Sequence, residues 1–376
     1  MIAVPPRLPE SFETLRAELR AFLATELAGM TAEERSHSWM GFDAAFSRKL
    51  GQRGWIGMAW PARYGGHERS ALERYVVLEE LLAAGAPVAA HWIADRQSGP
   101  LLLRYGTEAQ RAAILPRIAA GELTFCIGMS EPEVGSDLAA VRARAEHADG
   151  AWVLNGSKIW TTFAHRAHYM IGLFRSTGTP ADRHRGLSQF LIDLSGPGIE
   201  VRTIRDMAGR EHFNEVVFRD AHIAEDALIG TADDGWSQVI AELALERSGP
   251  ERYLSSFELF RAAVDAAQPG DERAAIELGR LYAEFATLRQ MSLGVAAMLE
   301  RGEDPATAAA IVKDLGVSFE QRLPQVVHDL FGPELLSSGS ELARVQSLIL
   351  QTAPGFSLRG GTREILRSVI ARGVAP

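Results

Sequence analysis

Cys126-Ile-Gly-Met-Ser130-Glu-Pro-Glu-Val-Gly135-Ser136-Asp137 marks the point at which the chain changes its pattern. Before it, from about residue 7 to 122, apolar residues recur at helical spacing. After it the period falls to two, with Val141, Ala143 and Ala145 alternating with Arg142, Arg144 and Glu146. Successive side chains of a strand point to opposite faces, so this alternation predicts half-buried strands. The stretch itself is a small-residue loop with hydroxyls and backbone N–H groups. It suits the polar edge of a planar ring or a phosphate, although taken alone a turn entering a sheet is the simpler reading.

Upstream, Ser70-Ala-Leu-Glu73 and Thr107-Glu-Ala-Gln110 fit the capping box, in which a hydroxyl and an N3 acid or amide satisfy end N–H groups reciprocally. Gly85 reads as a helix stop, and Pro116 is expected to split the segment after Thr107 into two short helices. Downstream, Asp149-Gly150 and Asn155-Gly156 read as tight turns. Further strands are expected at 168–174, 188–194 and 215–219, together making a small antiparallel barrel or sandwich. From about Asp234 helices return. Two long ones are expected at 236–266 and 271–301. Asp304-Pro305 supplies an N-cap and an N1 proline for a third running towards Gly332, and a short last helix follows Thr362. The expected division is a helical domain at 1–122, a β domain at 123–232 and a helical bundle at 233–376, an α+β multidomain fold.

Composition narrows the function. The chain has 376 residues, 47% apolar and 23% charged, which excludes a disordered or fibrous protein. The net charge of −9 leaves no basic field to collect the phosphates of a nucleic acid, though a few arginines can still hold a small anion. One cysteine, Cys126, supports neither a disulfide framework nor a multi-cysteine metal site, so no metal is expected. No apolar run reaches 18 residues and the N-terminus lacks a signal-peptide pattern, which reads as a cytoplasmic chain without a membrane span. Lysine occurs only at Lys49, Lys158 and Lys313 against 36 arginines, an imbalance that a GC-rich genome explains.

A second constellation, Lys158-Ile-Trp160-Thr161-Thr162-Phe163, follows the Asn155-Gly156 pair. An aromatic and two hydroxyls at a strand end can stack on a cofactor and bond its edge, although alone such a tryptophan is more often core. The ordered pair changes that reading. With Leu50-Gly-Gln-Arg-Gly54-Trp55, Trp60-Pro61-Ala-Arg-Tyr64-Gly65-Gly66, Leu115-Pro116, Gly121-Glu122, Phe213-Asn214-Glu215-Val216, Leu228-Ile229-Gly230, Gly235-Trp236 and Gly360-Gly361-Thr362-Arg363-Glu364-Ile365-Leu366-Arg367, the chain resembles the acyl-CoA dehydrogenase flavoproteins over nearly its whole length.

The resemblance implies an N-terminal helical domain, a middle β domain and a C-terminal four-helix bundle, with FAD bound and its edge touched by a neighbouring subunit. By position, Ile127, Met129 and Ser130 would hold the isoalloxazine, with Gly135 and Ser136 near the flavin and the CoA thioester. Trp160 would pack on the flavin, Thr161 beside it would share that site, and Thr162 would bond near N5. Thr362, with Glu364, would approach the adenosine or pyrophosphate part of FAD. The family's reaction is α,β-desaturation of an acyl-CoA: a carboxylate takes the α-proton while the β-hydrogen leaves as hydride to flavin N5. Such a base must be desolvated so that its pKa rises, and donors including a backbone N–H stabilise the enolate charge.

The chain departs from most relatives at Gly360, where they carry the catalytic glutamate; its backbone N–H can still polarise the substrate carbonyl. A subset of the family carries the base on the first bundle helix in a Leu-x-Leu-Glu-Arg context, matched here by Leu243-Ala-Leu245-Glu246-Arg247. Glu246 is therefore the expected base and Arg247 its orienting cation, with a solvated helix residue as the plainer alternative. Glu251 is weaker, because five residues along one helix would turn it about 140° away. The arginine that relatives lend to a neighbour's FAD has no counterpart in context at Arg261 or Arg273, Asp329 stands where a glutamine is usual, and Pro333 replaces a glycine. A homo-oligomer and an α2β2 assembly with a paralogous chain both remain open. The expected activity is dehydrogenation of a branched or bulky acyl-CoA, with an electron-transfer flavoprotein as acceptor. The alternatives are a non-catalytic subunit completing a partner's flavin site, or an oxygen-reactive oxidase or monooxygenase of the same fold.

Overall fold

The computed structural model describes residues 8–246 and 249–374, with backbone only for 243–246. Helices begin where the sequence places caps. Glu73 N–H donates to Ser70 Oγ at 3.0 Å and Ser70 N–H returns to Glu73 Oε2 at 2.9 Å. Thr107 and Gln110 close the same reciprocal pair at 3.1 and 2.9 Å. The N-terminal helices are α1 (Ser11–Glu26), α2 (Ala32–Arg35), α3 (Ala44–Gln52), α4 (Ala71–Ala83), α5 (Ala89–Ile93), α6 (Gly99–Tyr105) and α7 (Glu108–Ala119). Gly85 ends α4 as expected, with φ +68°. Pro116, by contrast, does not split α7. It sits in the last turn, and the burial of Ile114, Leu115, Ile118 and Ala119 on either side holds the helix together.

The strands are β1 (Phe125–Gly128), β2 (Arg144–Ala148), β3 (Ala151–Lys158), β4 (Tyr169–Arg175), β5 (Leu187–Asp193), β6 (Ile199–Ile204) and β7 (Phe213–Ala224). They form one sheet in the order β1-β4-β2-β3-β7-β6, with β5 also paired to β4. Most pairings are antiparallel, but β1 and the start of β2 run parallel to β4. Asp149 and Gly150, at φ +51° and +73°, make the expected β2–β3 turn. Asn155-Gly156 does not turn. It lies within β3 at a register shift opposite β7, where a Cβ on Gly156 would stand 2.7 Å from that of Ala143. Asn155 bonds Asp220 both ways instead, at 3.0 and 2.9 Å. A bulge thus uses the same glycine freedom that a turn would. The core of the sheet packs Trp152, Leu154, Phe174, Phe190 and Phe218.

The C-terminal helices are α8 (Gly235–Glu246), α9 (Phe257–Ala266), α10 (Glu272–Glu300), α11 (Ala306–Phe331), α12 (Glu341–Phe356) and α13 (Arg363–Val374). The expected single helix over 236–266 is therefore two, with a 3₁₀ turn at Pro250–Arg252 between them. Pro250 lacks an N–H and crowds the residue before it out of helical geometry. At the head of α11 the N-cap is Pro305, one residue later than expected, and Asp304 before it accepts the Ala306 N–H at 2.9 Å. Helix α12 was not anticipated, although Ser340 caps it by accepting Ala343 N–H at 3.1 Å.

These elements form two compact units. One gathers the chain up to Phe46, Arg69–Ala89 and the chain from Glu246 onward; the other gathers Ser47–Glu68 and Ala90–Leu245. In the first unit α1, α4 and α10 close around buried Glu79, which accepts from Arg16 at 2.9 Å and from Arg289 at 2.7 and 2.9 Å. Beside it the hydroxyls of Tyr75 and Tyr253 lie 2.6 Å apart. A carboxylate removed from water requires such partners.

Candidate active site

In the second unit the two constellations meet. Lys158, at the end of β3, is fully buried and donates to Glu131 Oε1 at 2.8 Å. Glu131 also accepts the backbone N–H groups of Arg142 at 2.8 Å and Ala143 at 2.9 Å. Lys158 Nζ reaches Met129 O at 3.4 Å, and Ile159 N–H donates to Ser130 O at 2.9 Å. The loop that carries Ile127, Met129 and Ser130 is thus held to the strand that leads into Trp160 by three polar contacts. Burial pushes the Lys158 ammonium down to about 8, against the opposing pull of Glu131. Lys158 and Glu131 both lie in the quoted stretches, but neither was given a role from sequence. The signal was present in the scarcity of lysine.

Trp160 has φ +58°, an unusual conformation for a bulky residue, and its ring is 57% exposed. Its ring meets the edge of Phe213 at a centroid distance of 5.8 Å. Thr161 is fully buried, and its hydroxyl has no hydrogen-bond partner among the described residues. Its backbone exchanges bonds with Asn214, N–H to Asn214 O at 3.0 Å and carbonyl from Asn214 Nδ2 at 2.9 Å. Thr162, Ile127, Met129 and Ser130 are half-buried. Gly135 and Ser136 are exposed, and a Cβ at Gly135 would meet nothing within 4 Å. Asp137 next to them is committed to Arg183, one bond of the pair being 2.9 Å. Cys126 is buried and its thiol is pushed far up by burial, so it is inert.

The first unit holds the remaining candidates. Gly360 and Gly361 have φ +63° and +96°, and Thr362 follows at the head of α13. Glu364 curls back on that helix end: its own backbone N–H and the Thr362 hydroxyl hold its carboxyl below the usual range. Lys313, fully buried on α11, donates to the carbonyls of Arg359 and, at 2.5 Å, Gly361. Arg261 is paired with Glu258 and Arg273 donates to Asp329 O at 3.0 Å. Glu251 lies beyond the end of α8, so the rotation expected of it on one continuous helix does not apply. It is 1% exposed, 3.2 Å from Arg252 Nε. Glu246 closes α8 by its backbone; its side chain, and Arg247 altogether, lie outside the described residues.

A helical N-terminal region, a curled middle sheet and a helical C-terminal region, with a hydroxyl-rich loop tied to an exposed tryptophan, define a flavoprotein of the acyl-CoA dehydrogenase type. The sequence comparisons agree. Residues 9–122, 126–221 and 233–375 match the N-terminal, middle and C-terminal domains of acyl-CoA dehydrogenase. The acyl-CoA dehydrogenase IpdE1 of Mycobacterium tuberculosis is 33% identical, across 97% of each chain. IpdE1 of Mycolicibacterium smegmatis is 31% identical, across 96% of this chain and 97% of that one. Among solved structures, the Tcur3481-Tcur3483 steroid ACAD superposes with a TM-score of 0.87 at 27% identity, covering 98% of this chain and 99% of that one. The ChsE4-ChsE5 complex from Mycobacterium tuberculosis gives 0.85 at 26%, covering 99% and 100%. The chain belongs to the acyl-CoA dehydrogenase family, and it is an enzyme of that class.

Membership carries FAD as the cofactor, and the residues present fit a flavin. The buried Thr161 hydroxyl, without a partner among the described residues, and the exposed Trp160 are two features that a stacked, hydrogen-bonding ring would satisfy. Among the described residues no helix is long and apolar enough to cross a membrane.

Proposed function

We propose that this chain desaturates a bulky, steroid-derived acyl-CoA at its α,β bond with Glu246 as the base. Bound FAD supplies the hydride acceptor. The observation that carries the reading is the joint made by Lys158 and Glu131, which brings Ser130 and Trp160 to one place and leaves the tryptophan ring uncovered. A purely structural subunit has no use for that exposure.

In this reading Ile127, Met129 and Ser130 present backbone groups and a hydroxyl to the isoalloxazine edge, Trp160 packs on it, and Thr161 and Thr162 bond it. Gly135 and Ser136 leave room beside it for the CoA thioester. The helix end at Thr362 suits the pyrophosphate or adenosine part. The backbone N–H of Gly360 polarises the substrate carbonyl. Glu246 then takes the α-proton, with Arg247 orienting it. Gly360, in a left-handed turn without a side chain, leaves the family's usual base position empty of carboxylate. The bulky substrate is supported by the steroid ACAD among the similar solved structures. Electrons pass on to an electron-transfer flavoprotein.

A heteromer with a paralogous chain is favoured over a homo-oligomer by one local fact. Arg261 and Arg273, the arginines nearest the position from which relatives reach a neighbour's FAD, are tied to Glu258 and to Asp329 O within this chain. The ChsE4-ChsE5 complex is an assembly of two different chains. The test is the visible spectrum of the purified chain, alone and co-expressed with its genomic neighbour, titrated with straight, branched and steroid-derived acyl-CoAs. Bleaching of the yellow protein by one of them, lost in Glu246→Gln, is the expected result. A yellow protein that none of them bleaches would move the assignment to the oxygen-reactive relatives, which fast reoxidation in air would then identify.

A further inference from the structure

One face of α11 gathers three buried features around the turn that carries Gly360. Lys313, Gly316 and Glu320 are spaced three and four residues apart and so share that face. Lys313 holds the carbonyls on either side of Gly360, those of Arg359 and Gly361. At Gly316 a Cβ would fall 2.0 Å from Arg252 O, so only a glycine lets the 3₁₀ turn after α8 lie against the helix. Glu320 is fully buried and accepts Ser255 N–H at 2.7 Å, while Arg359 Nη2 stands 3.6 Å from its other oxygen. The same guanidinium donates to Ser255 Oγ at 2.7 Å. It stands 4.7 Å from the ring centroid of Trp39 and 4.5 Å from that of Phe356.

Arg359 therefore does not extend to solvent. It folds inward and ties the residue before Gly360 to a segment that begins a few residues after Glu246. Both glycines of the turn are left-handed, a conformation with no intrinsic preference to keep them in place. An apolar contact would bury the same area more cheaply than an ion pair, but it would not fix a direction.

We propose that Glu320, Arg359 and Ser255 form a positioning network that fixes the Gly360–Thr362 turn against the chain following Glu246, so that the carbonyl-polarising backbone and the helix-borne base meet the thioester in register. The proposal rests on the function assigned above, because it presumes that Gly360 and Glu246 face one substrate. All three act through the turn they hold and are positioning residues, not catalytic ones. Burial raises the Glu320 carboxyl to about 7, with Arg359, Ser255 and Arg252 opposing, so the charge of the network changes near neutrality. The charged groups around it are Arg359 from the turn, Arg252 with its partner Glu251 from the 3₁₀ segment, and Lys313 two turns away on α11.

The test uses the full-length, FAD-loaded protein with Glu320→Gln, Arg359→Leu, Arg359→Lys and Ser255→Ala. Two readouts are needed: single-turnover flavin bleaching against pH, and amide hydrogen exchange over residues 358–364 without substrate. In Glu320→Gln and Arg359→Leu, bleaching is expected to slow about ten- to a hundredfold, the scale of a misplacement near 1 Å. The half-saturating acyl-CoA concentration stays within about threefold, as expected when positioning rather than binding is lost. The pH limb near neutrality disappears in Glu320→Gln, exchange at 360–362 quickens, and Arg359→Lys recovers part of the rate. If Arg359→Leu does not fold, Ser255→Ala is expected to show the same exchange change in milder form. Wild-type rate, pH profile and exchange in a soluble, FAD-bound Glu320→Gln would overturn the network. A wild-type protein that no acyl-CoA bleaches would instead overturn the assigned function, and the exchange comparison would still decide the network.

Discussion

In each of the two units one lysine is fully buried, and the two are used differently. Lys158 in the sheet unit is paired with a carboxylate, Glu131, that also collects two backbone N–H groups. Lys313 in the helical unit has two backbone carbonyls around Gly360. The first is a charge pair that joins two sequence motifs; the second is a cation clamped on the carbonyls of a glycine turn. A compact ammonium with three donors fits such slots where the planar guanidinium fork does not. In a chain with 36 arginines, two of the three lysines are fully buried at these two places. Genome bias explains why lysine is rare. It does not explain where the survivors stand.

The largest effect belongs to neither lysine. Glu246→Gln is expected to slow flavin bleaching at least about a thousandfold, within the range for loss of a general base, with FAD content unchanged in the visible spectrum. Adding Gly360→Glu to that variant is expected to leave the rate low, because a side chain at φ +63° strains the turn that Lys313 holds. Recovery to near wild-type bleaching in the double variant would show that the turn is more permissive than the comparison implies.

Lys158→Met is the next largest. It leaves Glu131 buried without its cation, a loss of about 3–5 kcal/mol, read as a lower thermal midpoint together with weakened FAD retention. Unchanged melting and tight FAD would mean that the two backbone N–H groups suffice for Glu131 and that the charge pair does not join the motifs.

The pH dependence separates the two units further. Glu320 in the helical unit keeps its proton up to about 7 when folded, whereas the unfolded chain releases it near 4.5. The native state binds more protons across that window, so unfolding becomes easier as pH rises through it. Lys158 in the sheet unit loses its proton near 8 when folded and near 10.5 when unfolded, so its window has the opposite slope and stability rises with pH. Each contribution is bounded by about 3 kcal/mol. Thermal midpoints measured across pH are expected to lose the lower slope in Glu320→Gln and the upper slope in Lys158→Met. Slopes that persist in the variants would assign them to other groups. At the small end, Ser70→Ala removes one cap of α4 and is expected to lower stability by about 1 kcal/mol, a change chemical denaturation resolves.

The sequence carried the fold because its strongest signals are local. Both capping boxes, the Gly85 stop, the Asp149-Gly150 turn and the last helix after Thr362 rest on single residues with special backbone or hydrogen-bonding needs. The misses share a cause: a local signal with two uses. Asn155-Gly156 signals backbone freedom, which a bulge consumes as readily as a turn. Pro116 signals a broken donor, which the last turn of a buried helix tolerates, whereas Gly249-Pro250 opens the 3₁₀ turn that separates α8 from α9. Of the candidate site, Ser130, Trp160 and Thr161 were legible as motif members. The buried pair beneath them was not, since Lys158 and Glu131 are 27 residues apart and only folding brings them to 2.8 Å. Arg359 was hidden for the same reason, its partner Glu320 lying far back in the sequence on α11.

In the proposed reaction the helix-borne carboxylate, not the Gly360 turn, removes the α-proton. The most direct measurement of that step is solvent deuterium exchange at the α-carbon of a bound acyl-CoA analogue that cannot lose its β-hydrogen, followed by mass spectrometry. Wild-type protein is expected to exchange the α-hydrogen and Glu246→Gln to leave it in place. Exchange at the wild-type rate in Glu246→Gln would contradict the account and put the base elsewhere in the site.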